Sequence, residues 1–122
     1  GDVFDPAPRG RADVLTAGGT VLKVGDVDRR ALDALGVEYD VVDAAGRVVV
    51  PGLIDPHEHL LGGSGEGGFA AQTPEIRAGE VLLGGITTVV GTLGVDTTMK
   101  TMAGLVGRAK ALREQGLTAF CW

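Results

Sequence analysis

The chain is predicted to be an α/β protein, and three observations carry that prediction. Residues 1–50 hold short β-prone runs divided by turn residues. From Pro51-Gly52 onward, apolar or β-branched runs alternate with segments whose apolar residues recur at helical spacing. Glycine contributes 21 of the 122 residues, well above a usual share of about 7%, and it clusters between the runs. A disordered glycine-rich chain would be low in hydrophobicity. Here the mean hydropathy is +0.22, so the glycines read as turns and tight loops.

Residues 1–50 form the first expected domain, a small β-rich unit. Ala12–Ala17 reads as a strand, Gly18-Gly19 as a hairpin turn and Thr20–Val24 as the returning strand. Asp28–Leu35 reads as a short helix with Leu32 and Leu35 on one face and Gly36 as its stop. Glu38–Asp43, with Val41 and Val42, reads as a strand, and Ala45-Gly46 turns the chain into Arg47–Val50.

Residues 51–122 form the second expected domain. Leu53–His59 is its first strand. Thr73-Pro74-Glu75 offers an N-cap, a proline for the first helical position and an acid for the first turn, so a helix is expected from there to Leu83, stopped by Gly84-Gly85. Ile86–Val90 is β-branched throughout and reads as a buried strand. Met102, Leu105, Val106, Ala109 and Leu112 mark a second helix, Gly116 ends it, and Leu117 begins a third strand. Strands alternating with helices imply right-handed parallel crossovers. Two architectures fit: an open doubly wound sheet, or the opening units of a (β/α)₈ barrel, which needs about 250 residues when complete.

Charge and composition exclude several classes of partner. The net charge is −5 and no basic patch offers itself to phosphates, so nucleic acid is not expected. The apolar stretch Val81–Val95 is short and interrupted by glycines and threonines, so no membrane span is expected. No basic-then-apolar leader opens the chain, and the lone Cys121 fits a reducing compartment, so a cytoplasmic location is expected. Residue 1 is Gly, and the chain stops inside the apolar run Leu117–Trp122. It is therefore expected to be a fragment of a longer enzyme, because a strand ending there leaves an unpaired edge.

His57-Glu58-His59 carries the chemistry. Alternation along a strand points His57 and His59 to one face. Both candidate architectures bind ligands at the C-terminal ends of parallel strands, where this pair sits. Two imidazoles there are half of a metal site, since catalytic zinc sites usually supply three protein ligands. Glu58 faces the other way and is not expected to ligate. Asp55 shares the histidines' face and can orient one of them from behind, or serve as a strand-end hydrogen-bond acceptor. The following loop, Gly62–Gly68, lacks the lysine and spacing of a phosphate site. Its Glu66 can meet a cationic group such as a substrate α-amine, or stand solvated. Gly91–Thr98 follows the second strand and should reach the same rim, with Asp96, Thr97 and Thr98 as helix caps.

Taken together, these residues resemble a known family. Pro51-Gly52-Leu53-Ile54-Asp55-Pro56-His57-Glu58-His59 is similar to the first-strand signature of the amidohydrolase superfamily. Gly62–Glu66, Gln72-Thr73-Pro74-Glu75, Val89–Gly94 and the stretch from Ala111 to Trp122 resemble its isoaspartyl (β-aspartyl) dipeptidase branch. The resemblance implies a distorted (β/α)₈ TIM-like barrel, of which 51–122 is the opening, preceded by part of a small β-sandwich domain in 1–50. It implies a binuclear zinc centre with His57 and His59 among the ligands, and a metal-bridging hydroxide that attacks an amide carbonyl. The remaining ligands and the catalytic base would come from later strands, leaving no base in this chain and no activity in it alone. The resemblance also implies that Glu66 holds the substrate's α-amino group and that positions 64 and 95 contact substrate. Ser64 stands where well-known members have Gly, and Val95 where they have Thr.

A small peptide or amide is the expected partner, and the full-length form is open to homo-oligomerisation. The competing readings are another amidohydrolase, acting on N-acyl amino acids or cyclic amides, and a non-catalytic relic that keeps the fold's first units.

Overall fold

The computed structural model describes residues 1–122. It is a mixed α/β chain with small sheets, divided into two compact units, Gly1–Pro51 and Gly52–Trp122.

In the first unit, β1 (Asp2–Asp5) pairs antiparallel with β2 (Ala7–Arg11) and parallel with β5 (Val48–Val49). A separate hairpin joins β3 (Asp13–Ala17) to β4 (Thr20–Gly25). Its turn residues Gly18 and Gly19 have φ of +57° and +74°, the sign that a tight hairpin turn matching strand twist requires. The short helix α1 (Arg29–Ala34) starts at Asp28, whose carboxylate accepts the Arg30 N–H at 3.0 Å. The expected strand over Glu38–Asp43 does not form. Val41 and Val42 are exposed there, and no neighbouring strand pairs with the segment, so its β-propensity has nothing to pack on. β1 and β2 escaped the pattern because Asp, Pro, Arg and Gly interrupt their apolar positions.

The second unit is built on a parallel sheet of three strands in the order β10 (Thr118–Cys121), β9 (Ile86–Gly91), β6 (Leu53–Glu58). The helices α2 (Ala78–Leu83) and α3 (Met102–Glu114) make the crossovers. Leu60, Val81, Val89, Leu105, Ala109, Leu112, Leu117 and Ala119 form one buried cluster between sheet and helices. Gly91 makes part of this packing possible, since a Cβ there would lie 2.5 Å from Leu60 Cδ1 and 3.0 Å from Leu105 Cδ1.

The helix α2 begins later than its sequence signal. Thr73 spends its groups elsewhere: its hydroxyl accepts the Gly63 N–H at 2.7 Å and its own N–H bonds Gly63 O at 2.8 Å. The N-cap is Arg77, whose N–H donates to the reaching-back Glu80 carboxylate at 2.9 Å. Thr73 and Pro74 serve instead to tie down the glycine loop, while Glu75 and the Ile76 carbonyl face Arg108 on α3. No helix is long and apolar enough to cross a membrane.

Candidate metal and substrate site

Parallel strands bring their C-terminal ends to one edge of a sheet, so the loops after β6 and β9 meet. His57 and His59 lie at the end of β6, with ring centroids 5.4 Å apart and planes tilted by 44°. The β6–β9 register is irregular between Asp55 and Glu58, where Pro56 has no N–H for the ladder. The two rings still lie side by side.

Their seat is specific. Gly94, at φ +72°, approaches so closely that a Cβ would lie 2.3 Å from His59 Cε1 and 2.6 Å from its Nδ1. His59 Nδ1 is buried and has no hydrogen-bond partner. Two imidazoles on one tetrahedral metal, each bound at about 2.0–2.1 Å, hold their centroids about 5 Å apart, close to the spacing seen. An unpartnered ring nitrogen and this spacing fit the pair as two ligands of a metal. No third His, Cys, Asp or Glu joins them into a larger ligand group.

The acids beside the pair act on the backbone. Asp55 Oδ1 accepts the His57 N–H at 2.9 Å, so it fixes the main chain that carries His57. Glu58 Oε1 accepts the His59 N–H at 2.9 Å. Burial, then the neighbouring Asp55 charge, pushes the Glu58 carboxyl above its ordinary range, while the His59 N–H pulls the other way.

The glycine loop contains a small hairpin that the sequence did not announce. β7 (Ser64–Gly65) pairs antiparallel with β8 (Gly68–Gln72), and Glu66-Gly67 form the turn between them. Glu66 is exposed at this tip. Gly62, at φ +77°, lies against the carbonyls of Thr73 and Pro74, where a Cβ would come within 2.1 Å and 2.6 Å of their oxygens.

Across from the hairpin lies the β9–α3 loop. Asp96 is only 2% exposed. Its Oδ2 accepts the Ser64 hydroxyl at 2.5 Å, and its Oδ1 accepts the N–H groups of Met99 at 2.8 Å and Thr98 at 3.1 Å. The Ser64 and Met99 donors lead in holding this carboxyl below its ordinary range, against burial. Asp96 therefore caps its own turn rather than α3, whose N-cap is Thr101, bonded to Gly104 N at 3.1 Å. Lys100, also buried, donates from Nζ to Leu61 O. Val95 is 60% exposed, and its Cγ2 would meet a Cβ on Gly65 at 2.8 Å. The structure thus brings Ser64, Val95 and the base of the Glu66 turn together. Asp96 and Lys100 are partners that spacing alone could not reveal, because Ser64 and Asp96 are 32 residues apart.

Comparison with known proteins finds relatives over most of the chain. No protein-family model matches the chain. Two solved structures of the β-aspartyl dipeptidase from Fervidobacterium islandicum, one of them in complex with β-Asp-Leu dipeptide, superpose on 99% of it with TM-scores of 0.89 and 0.87 at 40% identity. Adenine deaminase 2 of Rhizobium meliloti is 37% identical over 84% of the chain, and the D-hydantoinase of Streptomyces coelicolor is 38% identical over 65% of it. The chain belongs to the amidohydrolase superfamily. Within that superfamily it is β-aspartyl-dipeptidase-like. It spans 31% and 32% of the two dipeptidase chains and 20% of the adenine deaminase.

Proposed function

We propose that this chain supplies the first metal ligands and a substrate-amine contact of a metal-dependent amidohydrolase that cleaves small peptides, in the manner of an isoaspartyl dipeptidase. The observation that carries the reading is the His57–His59 pair at the end of β6, its rings 5.4 Å apart and His59 pressed on Gly94 with a buried, unpartnered Nδ1. His57 and His59 hold the metal, and imidazole donors suit zinc. A metal held there would supply Lewis-acid polarisation of an amide carbonyl and a more acidic water. Asp55 and Glu58 keep the two ligands in register by holding their backbone N–H groups. Glu66 offers its carboxylate to the substrate's α-amine, with Ser64 and Val95 bordering that subsite. The proton-moving base belongs to a later part of a longer protein, so the chain alone is inactive.

The architecture that goes with this reading is a (β/α)₈ barrel opened by residues 51–122 and a β-sandwich to which residues 1–50 contribute. In support, β6 and β10 each have an unpaired edge, and Leu53, Ile54 and Phe120 on these strands are exposed. In the first unit Val21, Leu22, Val42 and Val48 are exposed as well, as befits one part of a sandwich. The lone, unpaired Cys121 supports a cytoplasmic location.

A second reading, a cyclic-amide hydrolase, is favoured by the likeness to the D-hydantoinase. Glu66→Gln in the full-length protein separates the two. Under the dipeptidase reading the variant loses about tenfold or more in kcat/KM on β-Asp-Leu, the worth of a charge-assisted bond, and little on N-acylated or cyclic amides. Equal losses on all substrates would remove the reason for the dipeptidase assignment.

A further inference from the structure

We infer that Asp96 is a positioning residue that holds the Glu66 turn in place through Ser64, an inference that rests on the proposed role of Glu66 in binding a substrate amine. The carboxylate divides its work. Oδ1 secures its own loop through the Met99 and Thr98 N–H groups, and Oδ2 reaches across to the Ser64 hydroxyl. Ser64 is two residues from Glu66, and the residue between them is also pinned. Gly65 has φ +99°, and a Cβ on it would lie 2.8 Å from Val95 Cγ2 and 3.2 Å from Asp96 N. The entry to the hairpin is held from the same segment, since Lys100 Nζ donates to Leu61 O. One short stretch, Val95–Lys100, thus grips the loop at Leu61, Ser64 and Gly65, while the Glu66 side chain stands exposed at the tip with no internal partner. A carboxylate on a fixed backbone has less freedom to lose when it meets a cation, so anchoring favours binding. Ser64 gives its only proton to Asp96. What its oxygen can offer a ligand is an acceptor lone pair, which again suits an amine and not a carbonyl.

The test uses the full-length protein with Ser64→Ala, Ser64→Thr and Glu66→Gln. Ser64→Ala is the primary variant, because Asp96 also holds its own turn and its replacement disturbs more than the link. Ser64→Ala should speed backbone amide exchange across residues 64–68. It should also raise KM for β-Asp-Leu several-fold with kcat little changed, since the loosened turn has more freedom to lose when the substrate binds. Ser64→Thr keeps the hydroxyl and should return both readouts toward the wild type. Wild-type exchange and KM in Ser64→Ala, with Glu66→Gln still impaired, would overturn the positioning role and leave the dipeptidase reading standing. An unimpaired Glu66→Gln would sink that reading instead, while exchange in Ser64→Ala would still report on the anchor.

Discussion

Replacing Gly94 with alanine should separate the cost of backbone strain from the cost of unseating His59. At φ +72°, an alanine is strained by about 1–2 kcal/mol through its Cβ. The same Cβ would lie 2.3 Å from His59 Cε1, whereas carbon atoms pack comfortably at about 3.5–4.0 Å. The ring must therefore retreat by about 1 Å, several times the tolerance of about 0.2 Å that a metal–ligand distance allows. Gly116 is the control. It has φ +94° and nothing within 4 Å of a built Cβ, so Gly116→Ala carries the backbone cost without a collision. In urea unfolding, Gly116→Ala should lose about 1–2 kcal/mol and Gly94→Ala at least as much. In titrations of the full-length apoprotein with zinc or cobalt, only Gly94→Ala should lose affinity, by about 10–100-fold, as when a group that orients a ligand is removed. Wild-type metal affinity in Gly94→Ala would refute the placement of His59 as a ligand seated on Gly94.

Two further outcomes follow from the core and from the loop anchor. Leu105→Ala removes a side chain of zero exposure from the core of the second unit, and should cost about 2–5 kcal/mol by denaturant unfolding. Asp96 has its folded-state carboxyl lowered, chiefly by the Ser64 hydroxyl and the Met99 N–H. Its contribution is therefore present above the ordinary aspartate range and is lost as pH falls through the lowered folded value. Unfolding midpoints measured from pH 5 downward should fall for the wild type and fall less for Asp96→Asn. Parallel curves for the two proteins would remove Asp96 from the acid limb.

Local signals in the sequence were reliable where a residue's job is done by its neighbours. Gly18-Gly19 marks a hairpin because the turn needs two positive φ values, and Asp28 marks a helix start because its carboxylate serves an N–H two residues on. The same logic failed when a distant partner claimed the group. Thr73 reads as an N-cap until Gly63 takes its hydroxyl. Asp96 reads as a cap for α3 until Ser64 and its own turn occupy both of its oxygens. Val41 and Val42 read as a strand, yet a strand needs a partner and the segment has none.

By itself the sequence determined the alternation of strands and helices, the parallel order it implies, and the identity of the histidine pair, because these rest on period, propensity and residue chemistry within a few positions. It also held the resemblance that ties Glu66 to an amine. Tertiary structure alone decided that Gly94 is the seat of His59, that Glu66 tops a hairpin, and that Ser64, Asp96 and Lys100 bind two loops into one rim. Parallel strands bring together residues about 30 positions apart, from Ser64 to Asp96, and no local pattern encodes which of them will touch.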